Sequence, residues 1–145
     1  MTLNFNQKYC SKNIDDLYFD IEFIDFIKTM IESNCLNLLF SGSHASGKSI
    51  LIKTIIQEYF KNIEKSKKNN SILYLNNIKD HGIQYYRNEV KLFCQFPTEI
   101  KKPKLLIIDD IDQIDKSYQQ IIQSYIDKWK HNFNLIATSN NIYKV

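Results

Sequence analysis

A glycine-bounded loop about a third of the way along the chain constrains the fold more than any other feature. It reads Gly42-Ser43-His44-Ala45-Ser46-Gly47-Lys48-Ser49, follows an apolar run and precedes a run with apolar residues at helical spacing. This is the pattern G-x-x-x-x-G-K-[ST], whose glycines let the backbone turn tightly with its N–H groups aimed inward. The flanking strand and helix patterns disfavour the alternative, a chance turn rich in glycine and serine. The loop therefore predicts a fold that binds a nucleoside triphosphate at the N-terminus of a helix.

Two side chains of this phosphate loop, residues 42–49, have individual expected roles. The Lys48 ammonium reaches the β- and γ-phosphates, and the Ser49 hydroxyl is offered to Mg²⁺. ATP and Mg²⁺ are therefore the predicted cofactors. The residues expected to contact the nucleotide are Gly42, Ser43, His44, Ala45, Ser46, Gly47, Lys48, Ser49 and Ile50.

Apolar runs and helix-patterned runs alternate along the chain. Strands are predicted at residues 36–40, 71–76, 105–108 and 133–138, and helices at 21–33, after the loop to about 59, at 82–94, and around 118–129. The helix at 82–94 is expected to bury Ile83, Tyr86, Val90 and Phe93, and the basic stretch 61–70 reads as a solvated helix end and loop. Alternation of this kind predicts an α/β fold with a parallel sheet, helices on both faces, and a ligand at the carboxyl ends of the strands.

Polar residues follow two of the predicted strands. Asp109 and Asp110 come directly after the apolar run 105–108, which is the form of a Walker B segment that delivers a carboxylate to Mg²⁺. We assign Asp109 to the metal and Asp110 to the attacking water, since alternation along a strand points the two side chains in different directions. Asn140 follows the last strand and is a candidate to contact the γ-phosphate or the water. The alternatives are a solvated acidic turn at 109–110 and a turn asparagine at Asn140.

Composition narrows the class of protein without identifying it. The net charge of +3 permits contact with nucleic acid but does not require it. No apolar run approaches the roughly 20 residues that span a bilayer, and residues 1–12 are too polar for a secretory signal. Cys10, Cys35 and Cys94 are odd in number and lack C-x-x-C spacing, so we expect reduced thiols in an intracellular protein without membrane contact.

Several segments together resemble the small subunits of replication factor C, the AAA+ clamp loader. Residues 7–16 are similar to the family's opening E-K-Y-R-P-K-x-L-D-D, and residues 38–42 to its L-L-F-Y-G. Further matches in register are Leu75-Asn76, Gly82-Ile83, Arg87, Lys91, Phe93, Gln119 and the sensor-1 position Asn140. The resemblance covers nearly the whole chain.

The resemblance implies a P-loop NTPase of AAA+ type, with strand order 1-4-3-2 and the family's fifth strand missing. Residues 1–145 would form the nucleotide-binding subdomain, without the lid and collar domains. The implied function is an ATP-binding subunit of a clamp-loader-like complex, which acts in the nucleus or another site of DNA replication. Its implied partners are other loader subunits, a sliding clamp and primer–template DNA. Arg87 and Lys91, spaced i and i+4, are expected to contact DNA phosphates; the alternative is an ordinary solvated helix face.

The residues that differ from the family pattern affect the expected ATP hydrolysis rather than the expected nucleotide binding. Asp110 replaces the catalytic glutamate and its carboxylate is one methylene shorter, and the family's Ser-Arg-Cys motif is not reached before Val145. Other replaced family residues lie at Cys10-Ser11, Ala45, His81 and Gln123-Ser124. Hydrolysis by the isolated chain is therefore expected to be slow. A subunit that binds the nucleotide without hydrolysing it is a second reading, and a small phosphate-loop kinase is a third, although Arg87 is the only arginine available to clamp a phosphoryl group.

Overall fold

Helices and strands alternate in the computed structural model, which describes residues 14–17, 19–75 and 82–145. The strands are β1 (Leu38–Ser41), β2 (Ile72–Leu75), β3 (Lys104–Ile108) and β4 (Phe133–Ser139). The helices are α1 (Ile21–Glu32), α2 (Lys48–Tyr59), α3 (Lys65–Asn70), α4 (the consecutive stretches Ile83–Tyr85, Tyr86–Val90 and Lys91–Gln95) and α5 (Lys116–Trp129). Short 3₁₀ turns lie at Ile14–Asp16, Ile111–Gln113 and Ile142–Lys144. The family matches at residues 7–13 and at 76, and the departures at 10–11 and 81, lie outside the described residues.

The four strands pair in parallel in the order β1-β4-β3-β2, which confirms the predicted order. The ends of each strand lie within two residues of the predicted ones. All five residues of the central strand β3 are buried. A parallel strand covered on both faces favours apolar residues, which is why residues 105–108 form a continuous apolar run. The buried Lys104 at the start of the strand donates from its Nζ to the Phe93 carbonyl at 2.9 Å.

Helices cover both faces of the sheet, as predicted. Leu105 and Ile107 of β3 pack into a cluster formed largely by α1 and α2. Leu106 and Ile108 pack into a second cluster formed largely by α4 and α5. Because side chains alternate along a strand, one apolar strand supplies the core on both sides.

Helix α4 differs from the regular helix that the sequence predicts. Its middle stretch Tyr86–Val90 is a π-helix, and the residues buried along it are Tyr86, Val90 and Cys94, while Phe93 is half-buried. Phe93, predicted on the buried face, packs against the core cluster but is only half-buried. Cys94 is the fully buried residue of that turn, because the wider π turn moves the buried strip to steps of four residues. The basic stretch also differs, since residues 65–70 form the short, solvated helix α3 rather than a loop.

Strand β1 lies at an edge of the sheet, since within the described residues it pairs only with β4. Leu39 on this strand is 43% exposed. An apolar cavity of about 220 Å³ lies beside it, lined by Asn37, Leu38, Leu39, Ile111, Ile126, Leu135, Ala137 and Val145. Among the described helices, none has the length and apolar character needed to cross a membrane.

Candidate nucleotide and magnesium site

The phosphate loop connects β1 to α2 and is held against the last strand. The Gly42 N–H donates a hydrogen bond to the Ser139 carbonyl at 3.1 Å. Gly47 caps α2 with a φ of 89°, a conformation that glycine adopts at no steric cost. Ala45 also has a left-handed φ, 61°, where the resembled family places a glycine. The loop therefore adopts its tight turn although Ala45, which has a Cβ atom, is sterically strained in this conformation.

Lys48 lies at the first turn of α2 and its ammonium folds back over the loop. Its Nζ donates to the carbonyls of Gly42 at 2.7 Å and Ser43 at 2.8 Å, and to Asn140 Oδ1 at 3.1 Å. An ammonium has three protons to donate, and these three oxygens already accept from it. When a nucleotide binds, its phosphate oxygens would replace some of them as acceptors. The lysine is thus placed where phosphates bound by the loop would be within its reach.

Asp109 follows β3 and lies between hydroxyls from the two neighbouring strands. Thr138 Oγ1 on β4 donates to Asp109 Oδ1 at 2.5 Å, and the Tyr74 hydroxyl on β2 donates to Oδ2 at 3.3 Å. Burial, and then the charge of Asp109 and this hydrogen bond, raise the pKa of Tyr74 to about 12. The phenol therefore stays protonated and remains a donor to the carboxylate at physiological pH.

Asp110 lies past the end of β3, where strand alternation no longer sets side-chain direction. Its φ of 53° turns the backbone left-handed, and its N–H donates to Thr138 Oγ1 at 2.8 Å. Asn140 Nδ2 donates to Asp110 Oδ1 at 2.7 Å. Because Asn140 Oδ1 also accepts from Lys48, the amide links the loop lysine to the second carboxylate.

Most of the residues predicted for the site line one cavity of about 360 Å³ at the carboxyl edge of the sheet. They are His44, Ala45, Ser46, Gly47, Lys48, Ser49, Ile50, Asp109, Asp110 and Asn140. Gly42 and Ser43 contribute the carbonyls that Lys48 contacts. Arg87 and Lys91 are exposed on α4 and do not line this cavity. A serine hydroxyl and a carboxylate in one cavity are hard oxygen donors of the kind that Mg²⁺ prefers, so the residues fit Mg²⁺ bound together with phosphates.

Sequence reasoning missed four residues that hold the site together. Two are Tyr74 and Thr138, which contact Asp109. The third is Asp112, whose Oδ1 accepts the Asn140 N–H at 3.0 Å. The fourth is Gln119, noted only as a family match, whose Nε2 donates to the carbonyls of residues 111, 114 and 144. Thr138 was identifiable as a polar residue at the carboxyl end of a buried strand, whereas the role of Tyr74 depends on which strand lies beside β3.

Comparison with known proteins agrees with this fold. Residues 36–145 match the family model described as "AAA domain", and the chain belongs to this family. Among curated relatives, replication factor C subunit 3 of Saccharomyces cerevisiae is 28% identical over 142 residues, and a putative replication factor C small subunit of Acanthamoeba polyphaga mimivirus is 32% identical over 148. Each alignment covers 96% of this chain, which confirms the resemblance to replication factor C small subunits.

The chain spans only about two fifths of these relatives, 40% of the yeast protein and 42% of the viral one. Among solved structures, a DNA polymerase III gamma subunit-related protein from Thermotoga maritima superposes with a TM-score of 0.63 at 14% identity. That alignment covers 83% of this chain and 40% of the other. At this identity the likeness shows a shared AAA+ fold.

Proposed function

We propose that this chain binds Mg²⁺·ATP as the nucleotide-binding part of a clamp-loader-like complex. One observation carries the proposal: Lys48, Ser49, Asp109 and Asn140, which come from three separate segments of the chain, line a single cavity at the carboxyl edge of the sheet. This is where open parallel sheets bind ligands.

The roles of the residues follow from their positions. The loop N–H groups and the α2 N-terminus favour phosphate oxygens, and Lys48 adds a positive charge within reach of them. Ser49 and Asp109 would hold Mg²⁺, which when bound offsets the charge on the β- and γ-phosphates. Asp110 and Asn140 line the same cavity and would contact the γ-phosphate or the attacking water.

The partners in this proposal come from the relatives' names, which are those of replication factor C subunits. The chain would assemble with other loader subunits and place a sliding clamp at primer–template DNA, with ATP controlling the affinity for both. It would act where DNA is replicated, in the nucleus or at another such site.

Titration with a fluorescent ATP analogue tests nucleotide binding. Lys48→Ala removes a lysine that lines the cavity and should lower affinity at least tenfold, because charge-assisted hydrogen bonds contribute about 1.5–3 kcal/mol. Lys53→Ala, on the same helix but outside the cavity lining, is the matched control. Equal affinities of wild type and Lys48→Ala would refute the proposal.

The hydrogen bond between Asp110 and Asn140 favours a second candidate, a subunit that binds ATP but hydrolyses it slowly. The shorter carboxylate of Asp110 is already engaged by the Asn140 amide at 2.7 Å, which competes with a water molecule for the same oxygen. Measured turnover in a complex with partner subunits separates the two candidates. Turnover that depends on Lys48 supports an ATPase, and tight binding without turnover supports a structural role.

A further inference from the structure

The carboxylate of Asp109 is held on both oxygens by hydroxyls from different strands. Strand β3 lies between β4 and β2, and it ends immediately before Asp109. Thr138 on β4 is next to it across the sheet, one residue past the Ile108–Ala137 pair. Tyr74 on β2 pairs with Ile107, and its longer side chain reaches forward to the carboxylate.

The direction of the Thr138 hydrogen bond is fixed by a second contact. Thr138 Oγ1 accepts the Asp110 N–H at 2.8 Å, which places the hydroxyl proton toward Asp109 Oδ1 at 2.5 Å. The Thr138 side chain is completely buried, so solvent does not compete for this proton. One hydroxyl therefore sets both the orientation of Asp109 and the backbone turn at Asp110.

We propose that Tyr74 and Thr138 are positioning residues that aim the Asp109 carboxylate at Mg²⁺; this inference rests on the proposed function. A carboxylate offers about four lone-pair directions, and the two hydroxyls occupy one on each oxygen. The remaining directions are those available in the cavity that Ser49 also lines. Donors that fix a metal-binding group in this way raise metal affinity by about 10–100-fold in other proteins.

The two hydroxyls should not contribute equally. The Thr138 contact is short and buried, whereas the Tyr74 contact is 3.3 Å long and its side chain is half-buried. Loss of the Tyr74 hydroxyl should therefore weaken Mg²⁺ binding by about tenfold, and loss of the Thr138 hydroxyl by more. The hydrogen bonds that the structure describes for these two hydroxyls go to Asp109 and Asp110 and not to the phosphate loop. Removing either hydroxyl should therefore change only the part of the nucleotide affinity that depends on Mg²⁺.

The experiment measures binding of a fluorescent ATP analogue to the full chain, first in excess EDTA and then over a series of free Mg²⁺ concentrations. Tyr74→Phe should bind the analogue like wild type in EDTA but need about ten times more Mg²⁺ to reach its half-maximal gain in affinity. Tyr143→Phe makes the same chemical change at a side chain that is 95% exposed, and it should match wild type.

Thr138→Ser and Thr138→Val form a second pair. Serine retains the hydroxyl and should keep the Mg²⁺ midpoint near that of wild type, while valine should raise it beyond Tyr74→Phe. An unchanged midpoint in Tyr74→Phe, with analogue binding intact, would overturn the role of Tyr74. A rise in the midpoint for Thr138→Ser equal to that for Thr138→Val would overturn the role of the Thr138 hydroxyl. Failure of the wild type to bind the analogue would instead overturn the proposed function.

Discussion

Replacing Tyr86 by phenylalanine should stabilise this protein, because the tyrosine hydroxyl is buried and has no hydrogen-bond partner within residues 14–17, 19–75 and 82–145. The Tyr86 side chain is 0% exposed, and its ring stacks on that of Tyr118 with centroids 4.8 Å apart. Among the described residues, its hydroxyl makes no hydrogen bond. A buried hydroxyl left unpaired costs about 1–3 kcal/mol. Phenylalanine keeps the ring and its stacking, so the free energy of unfolding should rise by about 1–2 kcal/mol, with a melting temperature about 4 °C higher per kcal/mol.

The same interface supplies a matched control of opposite sign. The Tyr125 hydroxyl on α5 donates to the Tyr86 carbonyl at 3.0 Å, so Tyr125→Phe removes a made hydrogen bond and should destabilise by about 1 kcal/mol. Urea unfolding followed by circular dichroism, with the slope of free energy against urea checked for constancy, measures both. If Tyr86→Phe is destabilised as much as Tyr125→Phe, the assignment of an unpaired hydroxyl is refuted.

Four further predictions concern the site, the surface and the sheet edge. Asp110→Glu should raise ATP turnover in the proposed clamp-loader-like complex, since the longer carboxylate reaches where the resembled family places it; equal or lower turnover contradicts this. If the proposed function holds, replacing both Arg87 and Lys91 by Ala should weaken DNA binding by the proposed complex for all sequences and reduce its salt dependence. An unchanged salt slope would leave them an ordinary solvated face. Burial raises the pKa of the Cys94 thiol from 9.0 to about 12, so above pH 9 the unfolded chain loses this proton while the folded protein keeps it. The free energy of unfolding should therefore fall by about 1.4 kcal/mol per pH unit between pH 9 and 12. Cys94→Ala should lack this pH dependence. The apolar edge at β1 should cause concentration-dependent association in sedimentation velocity that Leu39→Lys suppresses, whereas a wild-type monomer at all concentrations would contradict the edge argument.

The sequence predicts the elements of this fold well because two local signals are strong. The glycines and lysine of residues 42–49 identify the loop through the chemistry of phosphate binding, and the apolar run before Asp109 identifies a strand buried on both faces. Prediction fails where the backbone departs from a regular period. A helix of 3.6 residues per turn predicts Phe93 on the buried face, but after the π stretch Cys94 is fully buried and Phe93 only half-buried. No residue type in α4 predicts the π-helical stretch Tyr86–Val90.

The surroundings of Asp109 depend on strand order, which hydrophobic periodicity does not give. Periodicity finds β2, β3 and β4 separately, and only the pairing of β3 with both of the others brings Thr138 and Tyr74 to the same carboxylate. Thr138 carries a readable signal, since a buried strand that becomes polar at its carboxyl end is costly unless those groups find partners at a site. Tyr74 carries none, because an aromatic residue within a strand fits a packing role equally well. The contacts that orient a metal-binding carboxylate in a parallel sheet therefore become predictable once the two strands beside it are known, and polar side chains near the carboxyl ends of those strands are the ones to test.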